Sequence, residues 1–540
     1  MRSLLRNRDY FARRLNVGGH DYEVWTKAWL SAPPEVPRLV VASYLPDPRT
    51  ADLLRICLRS IKKNTASSYE LWVVDNNSPA ENIEWLLHEG GVHLAFNRTA
   101  PAITNGSYAN AVSLEIGAAL VDPATKYLMT LHQDIATIEP SWLVYLLSRL
   151  DDTIRAAGVR LDTGRVAEGI LHVLGYLVDF QLFRQLGLDF FPDLPAYDVG
   201  DRVIVGLRRA GYGIFATPNT LWSPELVERI PSSSPLRDLA VDRSFDDQGR
   251  VIFLHLGRGV VKTSGGEADA GGHWARFAQQ HLGLNLAPPP APRALEAKLY
   301  DDIHYSRRRY YVDAFLAQHA GGLPCGGRIV DFGGKRENKR GLFRAEQFDC
   351  EVIYLNIDRG SHPDVRADIT AAPLADNSVD AVLLAETLEH VFNPRAVLSE
   401  AGRVLRPGGQ LLLTTPFMFH IHADPDDYAR YTDAFYRRAL TELGFRLVIV
   451  ERHGRFFGVL ASLAKILQNS LAGRGYSFAR WRWLIGAIQR FGFALDARLP
   501  PAEGILGNHT TGFGIVAVKE ACWAPLSINQ ARPCPQQLST

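Results

Sequence analysis

Residues 287–293 read APPPAPR, and both sides of this segment show the same rhythm. Three consecutive prolines favour an extended, semi-rigid connector. Short β-branched runs alternate with helical patterns on each flank, which is the pattern of α/β domains built on mostly parallel sheets. The left flank carries RLVVASY, ELWVVDNN and KYLMTLHQD; the right carries GRIVDFGG, EVIYLNID, VDAVLLAE and GQLLLTTP. The expected fold class is therefore α/β with two tandem domains. Ligands are expected at the carboxyl ends of the strands. The expected boundaries are an N-terminal extension over 1–35, a first domain over 36–285, a linker over 286–298, a second domain over 299–521 and a tail over 522–540.

Lys plus Arg number 59 and Asp plus Glu 58, so no bulk charge points to nucleic acid. The five cysteines (57, 325, 350, 522 and 534) are scattered, with no CxxC. That fits a reducing cytoplasm and excludes a thiolate zinc site. The basic start MRSLLRNRDYFARR lacks the apolar core of a signal peptide. No run reaches the ~20 apolar residues that span a bilayer. The sequence gives no reading of oligomeric state.

On the right flank, Asp331 ends a strand that runs into Gly333 and Gly334. Glycines there let a ligand approach the backbone. Asp358 ends the next strand, where an acid can accept from ribose hydroxyls. Asp368 and Ile369 follow a third short strand, and Glu386, Glu389 and His390 follow VDAVLLA. In this order and spacing, residues of about 300–455 resemble the class I S-adenosylmethionine-dependent methyltransferases of the methyltransferase 11-like group. A last strand is expected at TTGFGIVAVKE. The resemblance implies a Rossmann-like fold and S-adenosylmethionine as cofactor. It places Asp331, Gly333 and Gly334 at the methionine moiety, Asp358 at the ribose and Asp368 with Ile369 at the adenine, with Glu386 also lining the cofactor. The glycine loop reads DFGGKRE in place of DxGxGxG, with Lys335 as the departure. In FMFHIHADPDDYARYT, His420 or His422 can deprotonate an acceptor hydroxyl. The same pair, with an acid, can also bind metal or simply belong to a lid. Similar stretches occur in methyltransferases of surface-polysaccharide assembly.

On the left flank, VVDNNS places Asp75 at a strand end, the small-residue helix NGSYANAVSLEIGAAL follows, and KYLMTLHQD ends in His132-Gln133-Asp134. This order resembles the family 2 glycosyltransferases of the GT-A fold. The resemblance implies that Ser43, Asp75, Asn105 and Asp134 bind a nucleotide-sugar. HQD falls where the family has its acidic DxD, so Asp134 stands for the second acid and His132 for the first. A divalent cation, Mg or Mn, would then sit on Asp134, with His132 and the late His255 as further ligands. Asp134 can equally hold the cation with help from His255 alone. An imidazole is a competent ligand. The catalytic base is Asp198 or Asp201, both in PAYDVGDRVIVGLRRAGY. As helix N-cap, Asp201 would fit either assignment.

From Arg455 a basic, aromatic, helical stretch forms an insertion over about 456–500. It reads as a cap over the acceptor cleft or as a membrane-interface segment with Trp481 and Trp483 at headgroup level. The leading expectation is a cytoplasmic, bifunctional enzyme, with possible peripheral contact on the inner face of the membrane. It would add a sugar, hexosyltransferase-like and with inversion, to a glycan or lipid-linked glycan of O-antigen or capsule type. It would also O-methylate a sugar hydroxyl. One alternative is a methyltransferase whose GT-A half is an inactive glycan-binding module. Another is an active transferase joined to a structural methyltransferase fold.

Overall fold

The computed structural model describes all residues except 9, 28, 30, 101–104, 165, 167–168, 265–269, 285, 287–292, 321–326, 338, 340, 349, 423–424, 475–481, 499–503 and 521–540. Most of the proline-rich connector, Trp481 and the expected tail lie outside the described residues. The chain divides into two units. The first comprises Met1–Ala294 with Ala487–Asn508, and the second comprises Leu295–Gly486 with 509–540. The boundary near 286–298 thus falls at 294, while part of the stretch expected as a second-domain insertion joins the first unit.

The strands of the first unit are β1 Phe11–Val17, β2 His20–Thr26, β3 Arg38–Ser43, β4 Glu70–Asn76, β5 His93–Asn97, β6 Tyr127–His132, β7 Ile135–Thr137, β8 Ile154–Gly158, β9 Leu161–Asp162, β10 Ile170–Leu171, β11 Gly175–Asp179, β12 Gly213–Ala216, β13 Asp242–Phe245 and β14 Val251–His255. Nine form one sheet in the order β1-β2-β5-β4-β3-β6-β11-β8-β12. Strands β5, β4, β3 and β6 run parallel, and β11 is antiparallel to both β6 and β8. β3 and β4 are buried at every position, as expected of central parallel strands covered on both faces. The helix Gly106–Leu120 packs against β3 so closely that a Cβ at Gly117 would lie 2.5 Å from Val40 Cγ1.

Residues 11–26 correct the expected N-terminal extension. β1 and β2 form a hairpin that adds two antiparallel strands to the edge of the sheet. Its two-residue loop is Gly18-Gly19, both at positive φ, the turn geometry that matches strand twist. A second, three-stranded sheet, β13-β14-β7, joins the segment after β6 to the late strand carrying His255.

The second unit holds β15 Arg328–Phe332, β16 Glu351–Asn356, β17 Val365–Arg366, β18 Val379–Ala385, β19 Leu405–Pro416, β20 Phe445–His453 and β21 Gly512–Lys519. Their order is β17-β16-β15-β18-β19-β21-β20. All neighbours are parallel except β21, which runs antiparallel to both β19 and β20. The strand expected at TTGFGIVAVKE is β21. Parallel pairing puts the carboxyl ends of β15, β16 and β18 on one edge, with Asp331 next to the last residue of β15 and Asp358 and Glu386 just beyond β16 and β18.

Candidate functional sites

In the first unit, in-register pairing aligns Ser43 with Asp75 and Ala42 with His132. Three polar strand ends therefore stand side by side. The three residues of HQD then divide their tasks. Gln133 grips the backbone of Tyr44 on both sides, accepting from its amide and donating to its carbonyl, each at 2.9 Å. His132 Nε2 lies 2.9 Å from the Asn110 side-chain amide. Asp134 Oδ2 accepts from the Gly259 amide at 2.8 Å, and its Oδ1 lies 3.6 Å from His255 Nε2.

The small sheet brings His255 in. Its register pairs His255 with Ile135 on one side and with Asp242 on the other. One ligand atom from each of His132, Asp134 and His255 lies within 4.8 Å of the others. Burial lowers the His132 imidazole well below its ordinary value, so it is neutral at pH 7 and able to ligate. Burial alone would raise the Asp134 carboxyl, but the His255 and His132 imidazoles and the Gly259 amide hold it below its usual range. Two imidazoles and an ionised carboxylate fit a divalent cation.

Asp242 and Arg160 extend this cluster, and the sequence did not single them out. Asp242 Oδ2 is 3.4 Å from His255 Nδ1 and 3.7 Å from Arg160 Nη1. Asn110 was within the expected helix but not read as a partner of His132.

Several expected site residues sit otherwise than expected. Asp75 is fully enclosed: its carboxylate accepts from the Ser78 amide at 3.2 Å and from the Ser78 hydroxyl, and it pairs with Arg98. A carboxylate so paired has no open edge for a nucleobase, so its role is to hold the turn after β4. Asn105 caps the helix Gly106–Leu120 by accepting from the Ser107 amide at 2.8 Å. Ser43 is buried, and among the described residues its hydroxyl has no hydrogen-bond partner.

The two candidate bases separate. Gly200, at positive φ, caps the helix Asp201–Arg209, and Asp201 is its first residue. Asp201 is 1% exposed, and its Oδ2 accepts from the Asp198 amide at 2.7 Å. Asp198 is engaged in the same turn, its Oδ1 accepting from the Val199 amide at 2.7 Å. Asp198 is half-buried, and its charge acts on His132.

In the second unit, Gly333 has φ +79°, and a Cβ there would lie 2.5 Å from Thr387 Cγ2. A Cβ at Gly334 would lie 2.2 Å from the Asp331 carboxyl carbon. Both positions require glycine. Asn356, at the end of β16, donates to the carbonyls of Gly333 at 2.9 Å and Gly334 at 3.1 Å, which fixes the turn. Burial raises the Asp331 carboxyl to about 7, with Lys339 opposing. Asp358 is exposed and accepts from the Gly360 amide at 2.9 Å and the Ser361 hydroxyl at 2.7 Å, which lowers it. Asp368 is exposed and accepts from the Thr370 amide and hydroxyl, each at 2.8 Å. Ile369 beside it is buried in the core. The fixed glycine turn, the half-buried Asp331 and the exposed acid after β16 fit S-adenosylmethionine.

Glu386 departs from its expected cofactor contact. At φ +53° it turns back onto Arg308, which donates Nε to Oε2 at 2.9 Å and pairs through Nη2 with Oε1. Burial would raise this carboxyl, but Arg308 holds it below the ordinary range. Both oxygens are engaged, so Glu386 secures the helix Arg307–Ala320 over the strand ends. Nearby Glu389 is raised by burial and by the Glu386 charge. The structure separates the two expected bases. His420 is exposed and lies against Phe419, with ring centroids 4.3 Å apart. His422 is half-buried and faces Glu389 and His390.

Among known proteins, residues 343–413 of the second unit match the family model for a methyltransferase domain. The fold of that unit is mixed α/β. The demethylmenaquinone methyltransferase of Mycobacterium bovis is 29% identical over 152 residues, covering 26% of this chain and 58% of that protein. The enzyme of the same description from Mycolicibacterium paratuberculosis is 32% identical over 129 residues, covering 23% of this chain and 54% of that protein. The chain therefore spans little more than half the length of these curated relatives. A solved SAM-dependent methyltransferase from Archaeoglobus fulgidus is 16% identical, with a TM-score of 0.25, over 46% of this chain and all of that one. Among the described residues, no helix is long and apolar enough to cross a membrane.

Proposed function

We propose that the chain is a bifunctional enzyme of surface-glycan assembly. Its second unit O-methylates a sugar hydroxyl with S-adenosylmethionine. Its first unit transfers a sugar from a nucleotide donor, with inversion. The sulfonium of the cofactor supplies an activated methyl group. The protein then has mainly to align the acceptor oxygen, since proximity carries much of the rate. Gly333 and Gly334 give the methionine end close backbone approach, Asp331 faces its ammonium and Asp358 the ribose. His420, exposed on the loop after β19, can take the acceptor proton.

The observation that carries the sugar-transfer half is the cluster of His132, Asp134 and His255 at the strand ends. On this reading, a cation held there would neutralise the charge of a donor diphosphate. Asp198, half-buried and acting electrostatically on His132, would deprotonate the acceptor. On the helix Phe456–Ala472, Leu460, Leu463 and Leu467 form one exposed apolar stripe. It supports contact with a membrane surface or a lipid-linked acceptor.

The sealed state of Asp75 favours a second reading, in which the first unit binds glycan without turnover. One experiment separates the two. The full chain is incubated with a panel of nucleotide-sugars and Mn²⁺ or Mg²⁺, and donor cleavage is measured beside methyl transfer to surface glycan. Metal-dependent cleavage supports the bifunctional reading. Methyl transfer without cleavage of any donor establishes the binding module. Absence of both sinks the proposal. Mass spectrometry of glycan from cells with and without the protein gives the acceptor.

A further inference from the structure

Glu389 is fully buried, and among the described residues neither of its carboxylate oxygens has a hydrogen-bond partner. An enclosed carboxylate is unfavourable unless something binds it. Two imidazoles approach it. His390 Nε2 lies 3.7 Å from Oε1, and His422 Nε2 lies 3.9 Å from the same oxygen. One ligand atom from each of the three residues lies within 4.8 Å of the others.

The far side of each ring is already committed. His390 Nδ1 is 2.5 Å from the Asp426 carbonyl, and His422 Nδ1 is 3.1 Å from the His420 carbonyl. A carbonyl oxygen only accepts, so each Nδ1 carries the proton. Each Nε2 then presents its lone pair on the Glu389 side. Metal-bound histidines are oriented in this way, by a hydrogen bond from the second ring nitrogen. A further support holds the loop: Asp427 Oδ2 accepts from the His422 amide at 2.8 Å and from Arg430 Nη2 at 2.7 Å.

We infer that Glu389, His390 and His422 form a binding site for a divalent transition-metal cation. Two nitrogens and one carboxylate suit zinc, manganese, iron, cobalt or nickel better than magnesium or calcium. Three protein ligands leave coordination positions for water or for an oxygen-bearing ligand. Phe392 and Ile421, close to the cluster in sequence, are 83% and 86% exposed. This site does not depend on sugar transfer by the first unit.

The test uses the full chain with His132→Ala and Asp134→Ala, so that the first unit's cluster is disabled. After chelation, the protein is titrated with Co²⁺, and the visible ligand-field band and bound metal are measured. One equivalent is expected, with affinity lowered about tenfold or more by Glu389→Gln and by His422→Ala. Near-ultraviolet circular dichroism checks folding. If Glu389→Gln unfolds the unit, His422→Ala, on the half-buried loop, decides. No bound Co²⁺ before these substitutions overturns the inference, as does unchanged affinity in the folded variants.

Discussion

His255 Nε2 stands 3.6 Å from Asp134 Oδ1, although the two residues come from different halves of the first unit's sequence. The β7–β14 pairing makes this contact, so the cluster exists only when the small sheet is formed. Replacing Asp134 with Ala should lower sugar transfer by about 10²–10³-fold, because a buried charge stabiliser is lost. Methyl transfer should be unchanged. Parallel assays on one preparation test this, and surviving sugar transfer would refute the metal assignment.

Gly259 offers a subtler perturbation. A Cβ there would lie 2.6 Å from Asp134 Cβ, so Gly259→Ala must push the carboxylate off its position. Half-saturation for Mn²⁺ in donor cleavage should rise, with little change in unfolding temperature. An unchanged metal dependence would mean that the carboxylate position is not critical.

The two acids of the DVGD segment should separate by phenotype. Asp198→Asn is expected to reduce sugar-transfer kcat by about 10²-fold or more with stability preserved, as for loss of a general base. Asp201→Ala leaves the Asp198 amide without its partner and should cost about 1–3 kcal/mol of stability. Urea unfolding beside steady-state kinetics distinguishes them. Reversal of the two patterns would move the base to Asp201.

Asp331 sets a pH dependence. Its carboxyl lies at about 7 in the fold against an ordinary 3.8. Without ligand, a raised carboxyl favours the fold most below pH 3.8, and that contribution is lost as pH rises through 7. Cofactor binding has the opposite sign, because an ammonium prefers the ionised acid. Affinity for S-adenosylmethionine should be flat above pH 8 and fall by up to about tenfold per unit below 7. Calorimetry across pH measures it; a flat profile would remove Asp331 from the methionine end.

Arg308 is buried and the Glu386 side chain is 11% exposed, so breaking the pair leaves an uncompensated, largely enclosed charge. Arg308→Met should destabilise the second unit by about 3–5 kcal/mol. Chemical denaturation followed by intrinsic fluorescence reads this directly. A loss below about 1 kcal/mol would show that Glu386 is free for another partner.

The parallel strands and their polar ends were legible because each apolar run stops at an acid, amide or hydroxyl. Ser43, Asp75, His132, Asp331 and Asp358 all fall at or just beyond such ends. What those side chains touch was not legible. Asp75 finds Arg98, and Glu386 finds Arg308, through packing between elements distant in sequence. Asp242 joins His255 only through antiparallel register. The N-terminal hairpin had a signal, Gly-Gly between two strand-length segments, but Arg13 and Arg14 obscured the alternation that marks a strand.

The position of β21 has a consequence for synthesis. Among the described residues β20 pairs only with β21, and β21 separates it from β19. Domains fold as they leave the ribosome, N-terminal parts first. β20, complete at His453, therefore has no strand neighbour until translation passes Lys519. Throughout that interval β19 is an open edge, a template for pairing with another chain. A nascent chain stalled near residue 510 would carry every strand-end acid of the second unit and still lack a closed sheet.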